Sequence, residues 1–99
     1  MKIILIQNLV YISKEKTEVR CYIKKFHSDI KPCIGDLIEL PSFNDHRQFS
    51  RVKQVFLKFS QNECRVVVED LITNELSDME DYIHILINKG WKRSASTLT

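Results

Sequence analysis

The chain has 99 residues, 43% of them hydrophobic, with two glycines and two prolines. That describes one domain with one modest core and excludes a disordered chain. The net charge of +2 conceals a segregation. Residues 1–68 carry 12 Lys/Arg against 7 Asp/Glu, residues 69–88 carry no Lys/Arg and 6 Asp/Glu, and residues 89–99 carry three cations. A mildly basic body followed by an acidic segment either faces an anionic partner or pairs with itself.

The longest apolar stretch, Ile3 to Ile12, is interrupted by Gln7 and Asn8. It falls short of the roughly 20 residues that a membrane helix needs. No small-residue cleavage site follows it, so no signal peptide and no membrane partner are expected. It reads as a strand buried on both faces. Ser13–Lys16 is a polar tip. Thr17 to His27 then alternates, with Val19, Cys21 and Ile23 on one face and Arg20, Tyr22, Lys24 and Phe26 on the other. The two runs predict a long β-hairpin.

Asp36 to Leu40 predicts a third strand, introduced by Pro32 and Gly35 and ended by Pro41. Ser42 to Ser50 has no periodicity and reads as the longest loop. Arg51 to Phe59 returns to strand chemistry, with Val52 out of phase with Val55 and Leu57, which predicts a bulge near Lys53-Gln54. Ser60-Gln61-Asn62 is a polar connection in which the Asn takes a positive φ. Cys64, Val66 and Val68 line one face of a fifth strand. Five strands at this spacing predict a small antiparallel barrel or strongly curved sheet.

The period then changes. Met79, Ile83, Leu86 and Ile87, widened by Tyr82 and Ile85, form a helical stripe over about 78–89. Ser77-Asp78-Met79-Glu80 has the pattern of a capping box. Gly90 fits the C′ position of a Schellman ending, with Trp91 placed to touch Leu86. Lys92 to Thr99 reads as a frayed tail. The expected molecule is a single mostly-β α+β domain, residues 1–91, with one C-terminal helix packed on a five-stranded sheet.

Several chemistries have no support in these residues. Two isolated glycines exclude Walker-type and dinucleotide phosphate loops, which need several close together. Three cysteines and three histidines show no C-x-x-C or H-x-x-x-H pair, so no metal site is expected. An odd number of cysteines without an export signal fits reduced thiols in a cytoplasmic protein, with Cys21 and Cys64 acting as small buried hydrophobes. Nothing groups a nucleophile, a base and an orienting carboxylate. The expectation is a non-enzymatic protein with no catalytic residue and no cofactor.

Two constellations suit binding. Phe43, His46, Arg47 and Phe49 sit in the Ser42–Ser50 loop, and aromatic and arginine side chains on a loop suit a protein partner. The favoured expectation is therefore a protein-binding regulator, adaptor or inhibitor, monomeric or dimeric through a sheet edge. Arg20, Tyr22, Lys24, Phe26 and Lys53 would instead suit RNA or single-stranded DNA, with rings stacking bases and cations meeting phosphates. In that arrangement the competing assignment puts Tyr22 and Phe26 under the helix, as core. A small-molecule pocket inside the barrel is a third option, without any polar signature.

The run Ile34-Gly35-Asp36-Leu37-Ile38-Glu39-Leu40, followed by Arg51-Val52-Lys53-Gln54-Val55, resembles the Gly-Asp strand and its neighbour in many small barrels, including PUA-like RNA-associated domains. The resemblance reports a turn before a strand and carries no functional residue across.

Overall fold

A computed structural model describes residues 1–40 and 48–94, except for the side chain of Gln48. The chain folds into a curled, mostly β sheet with one helix in the C-terminal region. The strands are β1 (Lys2–Ile12), β2 (Thr17–His27), β3 (Leu37–Leu40), β4 (Gln48–Lys58), β5 (Glu63–Val68), β6 (Leu71–Thr73) and β7 (Lys92–Arg93), and α1 spans Leu76–Asn88. Their order across the sheet is β3-β4-β5-β1-β2-β7, with β6 also paired to β1.

The sheet is mixed rather than wholly antiparallel. β1 pairs β2 antiparallel over the whole hairpin, with Ile6 opposite Ile23, but it runs parallel to β5 and β6. The chain reaches β3 from β2 by crossing to the far edge of the sheet, so β5 arrives beside β1 from the other side. Strand spacing along the sequence does not encode that crossing. β6 and β7 are additional to the five expected strands. β7 forms because the chain leaving the helix meets the free edge of β2, where Tyr22 pairs Arg93 and Ile23 pairs Lys92. The start of the expected tail is therefore a strand, and residues 95–99 lie outside the described ones.

The alternation of β1 sorts two cores. Ile3, Leu5 and Leu9 join Tyr22, Val52, Cys64, Val66, Val68, Met79, Tyr82, Leu86 and Trp91 on the helix side. On the outer face, Ile4, Ile6, Cys21 and Val67 form a second cluster with Ile23 against it. β1 is thus buried on both faces, which fits its continuous apolar run. Cys21 and Cys64 are buried, as their alternation predicts, and Cys33 is exposed. Burial pushes the Cys64 thiol above its ordinary pKa.

Local signals are realised at one bulge and two turns. The register of β4 against β5 shifts between Val52 and Gln54, so Val52 and Val55 both face the core. Asn62 has φ +51°, closing the short 3-10 turn Phe59–Gln61. Gly35 has φ +92°, and Asp36 Oδ2 accepts the Cys33 amide at 2.8 Å, which fixes the turn into β3.

The helix ends as its sequence predicts but starts differently. Gly90 has φ +89°, its N–H donates to Ile87 O at 3.1 Å, and the Trp91 N–H donates to Leu86 O at 3.0 Å. That is a Schellman ending, with Trp91 and Leu86 both in the core. The Ser77 capping box does not form, because the helix begins at Leu76 with Glu75 as its N-cap. Thr73 Oγ1 instead accepts the Glu75 amide at 3.1 Å. The buried stripe is Met79, Tyr82, Ile83 and Leu86, and Ile87 lies outside it, exposed.

Candidate functional site

The β3–β4 hairpin forms one edge of the sheet and carries an outward apolar patch. Pairing of Leu37 with Arg51, Ile38 with Ser50 and Glu39 with Phe49 sets the alternation. Ile38, Leu40 and Ser50 turn toward the core, where Leu40 and Ser50 are buried. Leu37 and Phe49 take the opposite face, diagonal to each other across the pair, at 58% and 53% exposure. Ile34, in the turn just before, is also exposed. Arg51 stands beside Leu37 in the ladder, and its Nη1 donates to Gly35 O at 3.0 Å, which ties the guanidinium to the turn.

Of the four residues proposed for a protein partner, Phe49 lies on this patch, with its ring facing away from the core. Phe43, His46 and Arg47 lie outside the described residues. Gln48 to Ser50, expected in the loop, belong to β4. Sequence reasoning missed Leu37 and Ile34. Glu39 marks the phase of Leu37 as the outward one, but nothing local in the sequence places Phe49 beside Leu37.

The five residues proposed for nucleic acid do not assemble into one accessible surface. The β1–β2 register puts Arg20, Tyr22, Lys24 and Phe26 on the helix side, opposite Leu9, Gln7, Leu5 and Ile3. Tyr22 is buried at 3% exposure within the main core. It is core because α1 and Trp91 close over that row. Arg20 Nε binds Glu18 Oε1 at 2.9 Å, which holds the Glu18 carboxyl below the usual carboxylate range. Lys53 stands at the bulge, where its Nζ lies 3.2 Å from Asp70 Oδ1. Phe26, at the far end of β2, and Lys53, away at the bulge, are the exposed members of the set.

Other chemistry is sparse. Among the described residues, no three of His, Cys, Asp or Glu converge as metal ligands. No helix there is long and apolar enough to cross a membrane. An open pocket of about 210 Å³ lies between β6 and α1, lined by Leu71, Ile72, Thr73, Asp78 and Met79. Drug-sized ligands occupy sites of roughly 300–1,000 Å³. No family model matches the chain, and neither a curated protein nor a solved structure matches it.

Proposed function

We propose that the protein is a non-enzymatic binding module that engages another protein through the outer face of its β3–β4 edge. The observation that carries this is the position of Phe49. Its ring stands outward beside Leu37 on a two-stranded arm, with half of its surface open to water. An aromatic and a leucine held on paired strands, with a tethered Arg51 at the margin, have the composition of an interface anchor. Strands hold such side chains in place, so little ordering entropy is lost when a surface docks on them. The nucleic-acid alternative loses its central ring, because Tyr22 lies in the core.

The test is quantitative co-purification of the tagged full chain from its own cells. Phe49→Ser and Leu37→Ser are compared with Ile87→Ser, an exposed helix position of similar accessibility. The expected result is a discrete protein partner lost from the first two variants and retained by the third. If the same proteins accompany all three variants, or none exceeds the untagged control, the reading fails.

A further inference from the structure

The end of the sheet where β1 begins carries a second surface, which goes beyond the protein-binding reading and is independent of it. The register lines up Lys58, Glu63, Lys2 and His27 across β4, β5, β1 and β2. Two turns project past this row. The turn after β4 is fastened by the Lys2 N–H to Asn62 O at 3.1 Å, and the segment after β2 by the Ser28 N–H to Met1 O at 3.0 Å. Ser28 Oγ accepts the Ile30 amide at 3.0 Å and fixes the second turn further. Phe59 rises from the first turn at 81% exposure and Ile30 from the second at 78%. They are the most exposed large hydrophobic side chains among the described residues.

Cations surround them. Lys2, Lys58, Arg65 and Lys25 stand on the outer face of the last two rows, and Lys31 directly follows Ile30. Asp29 and Glu63 are the acidic residues of this end. Glu63 is buried beneath the cluster, with Oε2 at 2.9 Å from Arg65 Nε and Oε1 at 3.7 Å from Lys2 Nζ. The acidic residues of α1 lie toward the opposite end, beyond Thr73, which pairs Tyr11 near the far end of β1. The two apolar projections therefore stand at a predominantly basic end, while the opposite end mixes the carboxylates of α1 with Lys14 and Lys16 of the β1–β2 tip.

We propose that this end docks on the surface of an anionic lipid bilayer, with Phe59 and Ile30 entering the headgroup boundary and the lysines meeting lipid phosphates and carboxylates. A membrane surface is the partner whose chemistry uses both features together. Apolar side chains gain by leaving water for the acyl boundary, and each nearby cation is drawn by the negative surface potential. A nucleic-acid strand would use the cations, but Ile30 offers no π-face for a base. The length argument from sequence excludes a span, not a surface contact. Ile30 and Phe59 are far apart in the chain, and only the fold brings them to one end.

The test is co-sedimentation of the full chain with vesicles of phosphatidylcholine alone and with one third phosphatidylserine. Wild type is expected on the anionic vesicles at low salt, less at high salt, and not on the neutral ones. Combined Ile30→Ser and Phe59→Ser should lower partitioning about tenfold or more. Lys58→Glu should lower it about fivefold or more. These side chains are exposed, so far-UV circular dichroism and melting of the variants should match wild type. Phe59→Trp should add an emission quenched by brominated lipid, over the baseline of buried Trp91. Absence of sedimentation at low salt, or equal sedimentation of the double serine variant, overturns the proposal. So does displacement from vesicles by a mixed-sequence single-stranded oligonucleotide that binds more tightly, which assigns the cations to nucleic acid.

Discussion

The hydroxyl of Tyr82 donates to Gln7 Oε1 at 3.2 Å, and both residues are almost wholly buried. This contact joins the middle of α1 to the central strand β1. It fixes helix rotation more tightly than apolar packing alone, because a buried amide oxygen without a donor costs free energy. Tyr82→Phe is expected to lower stability by about 1–2 kcal/mol in urea denaturation. Adding Gln7→Leu should recover part of that loss, since the acceptor is then gone. Equal and additive losses would show that the contact does not couple the two elements.

The same hydroxyl sets a limit in alkali. Burial pushes the Tyr82 pKa up to about 12 from an ordinary value of 10.0. The folded state therefore holds this proton more tightly than the unfolded chain. The associated stability is complete below pH 10 and is lost as pH rises toward about 12. The stability difference between wild type and Tyr82→Phe should shrink or reverse across that window, as read by denaturation at stepped pH. A difference that is constant with pH would mean that the phenol ionises as freely in the fold as outside it.

Gly90 closes α1 at φ +89°, and nothing lies within 4 Å of where a Cβ would stand. The cost of Gly90→Ala is therefore conformational rather than steric, about 1–2 kcal/mol. In a domain of this size that lowers the melting temperature by about 4–8 °C per kcal/mol. Gly90→Asn should cost less, since Asn tolerates the left-handed region. A melt unchanged by Gly90→Ala would indicate that the Schellman ending frays in solution.

What the sequence discloses follows the range of the interactions. The hairpin of β1 and β2, the bulge after Val52, the left-handed Asn62 and the Gly90–Trp91 ending all depend on neighbours close in the chain, and each is present. The parallel pairing of β1 with β5 and β6 depends on a chain crossing that leaves no local pattern. The helix starts two residues before the point marked by Ser77-x-x-Glu80, because a Thr73 turn captures the chain first. At the site, alternation correctly separated Tyr22 from Cys21, but which face the helix would cover is a tertiary outcome. The outward set of Leu37 with Phe49 likewise needed the β3–β4 register.

Tyr22 and Phe49 are both aromatic residues in strands, and the fold gives them opposite roles. Tyr22 is at 3% exposure and Phe49 at 53%. Tyr22→Ala should cost about 3–5 kcal/mol, the range for removing a buried ring. Phe49→Ala should stay within about 0.5 kcal/mol of wild type. Guanidinium denaturation of the two variants side by side measures this. A large loss at Phe49 would place its ring in the core rather than on a docking face.

Glu63 supplies a dependence of opposite sign to Tyr82. The hydrogen bond from Arg65 holds its carboxyl below the ordinary value of 4.5 against the opposing effect of burial, with Lys2 assisting. The folded state therefore favours the charged form. The stability this contributes is present above pH 4.5 and is lost as pH falls through the lower folded value. Glu63→Gln removes the charge while keeping the shape, so wild type should be the more stable protein at neutral pH and the two should converge in acid. Denaturation midpoints measured from pH 7 down to about pH 3 read this directly. A gap that persists unchanged into acid would mean that the carboxylate charge contributes nothing, and that Arg65 and Lys2 are held in place by packing alone.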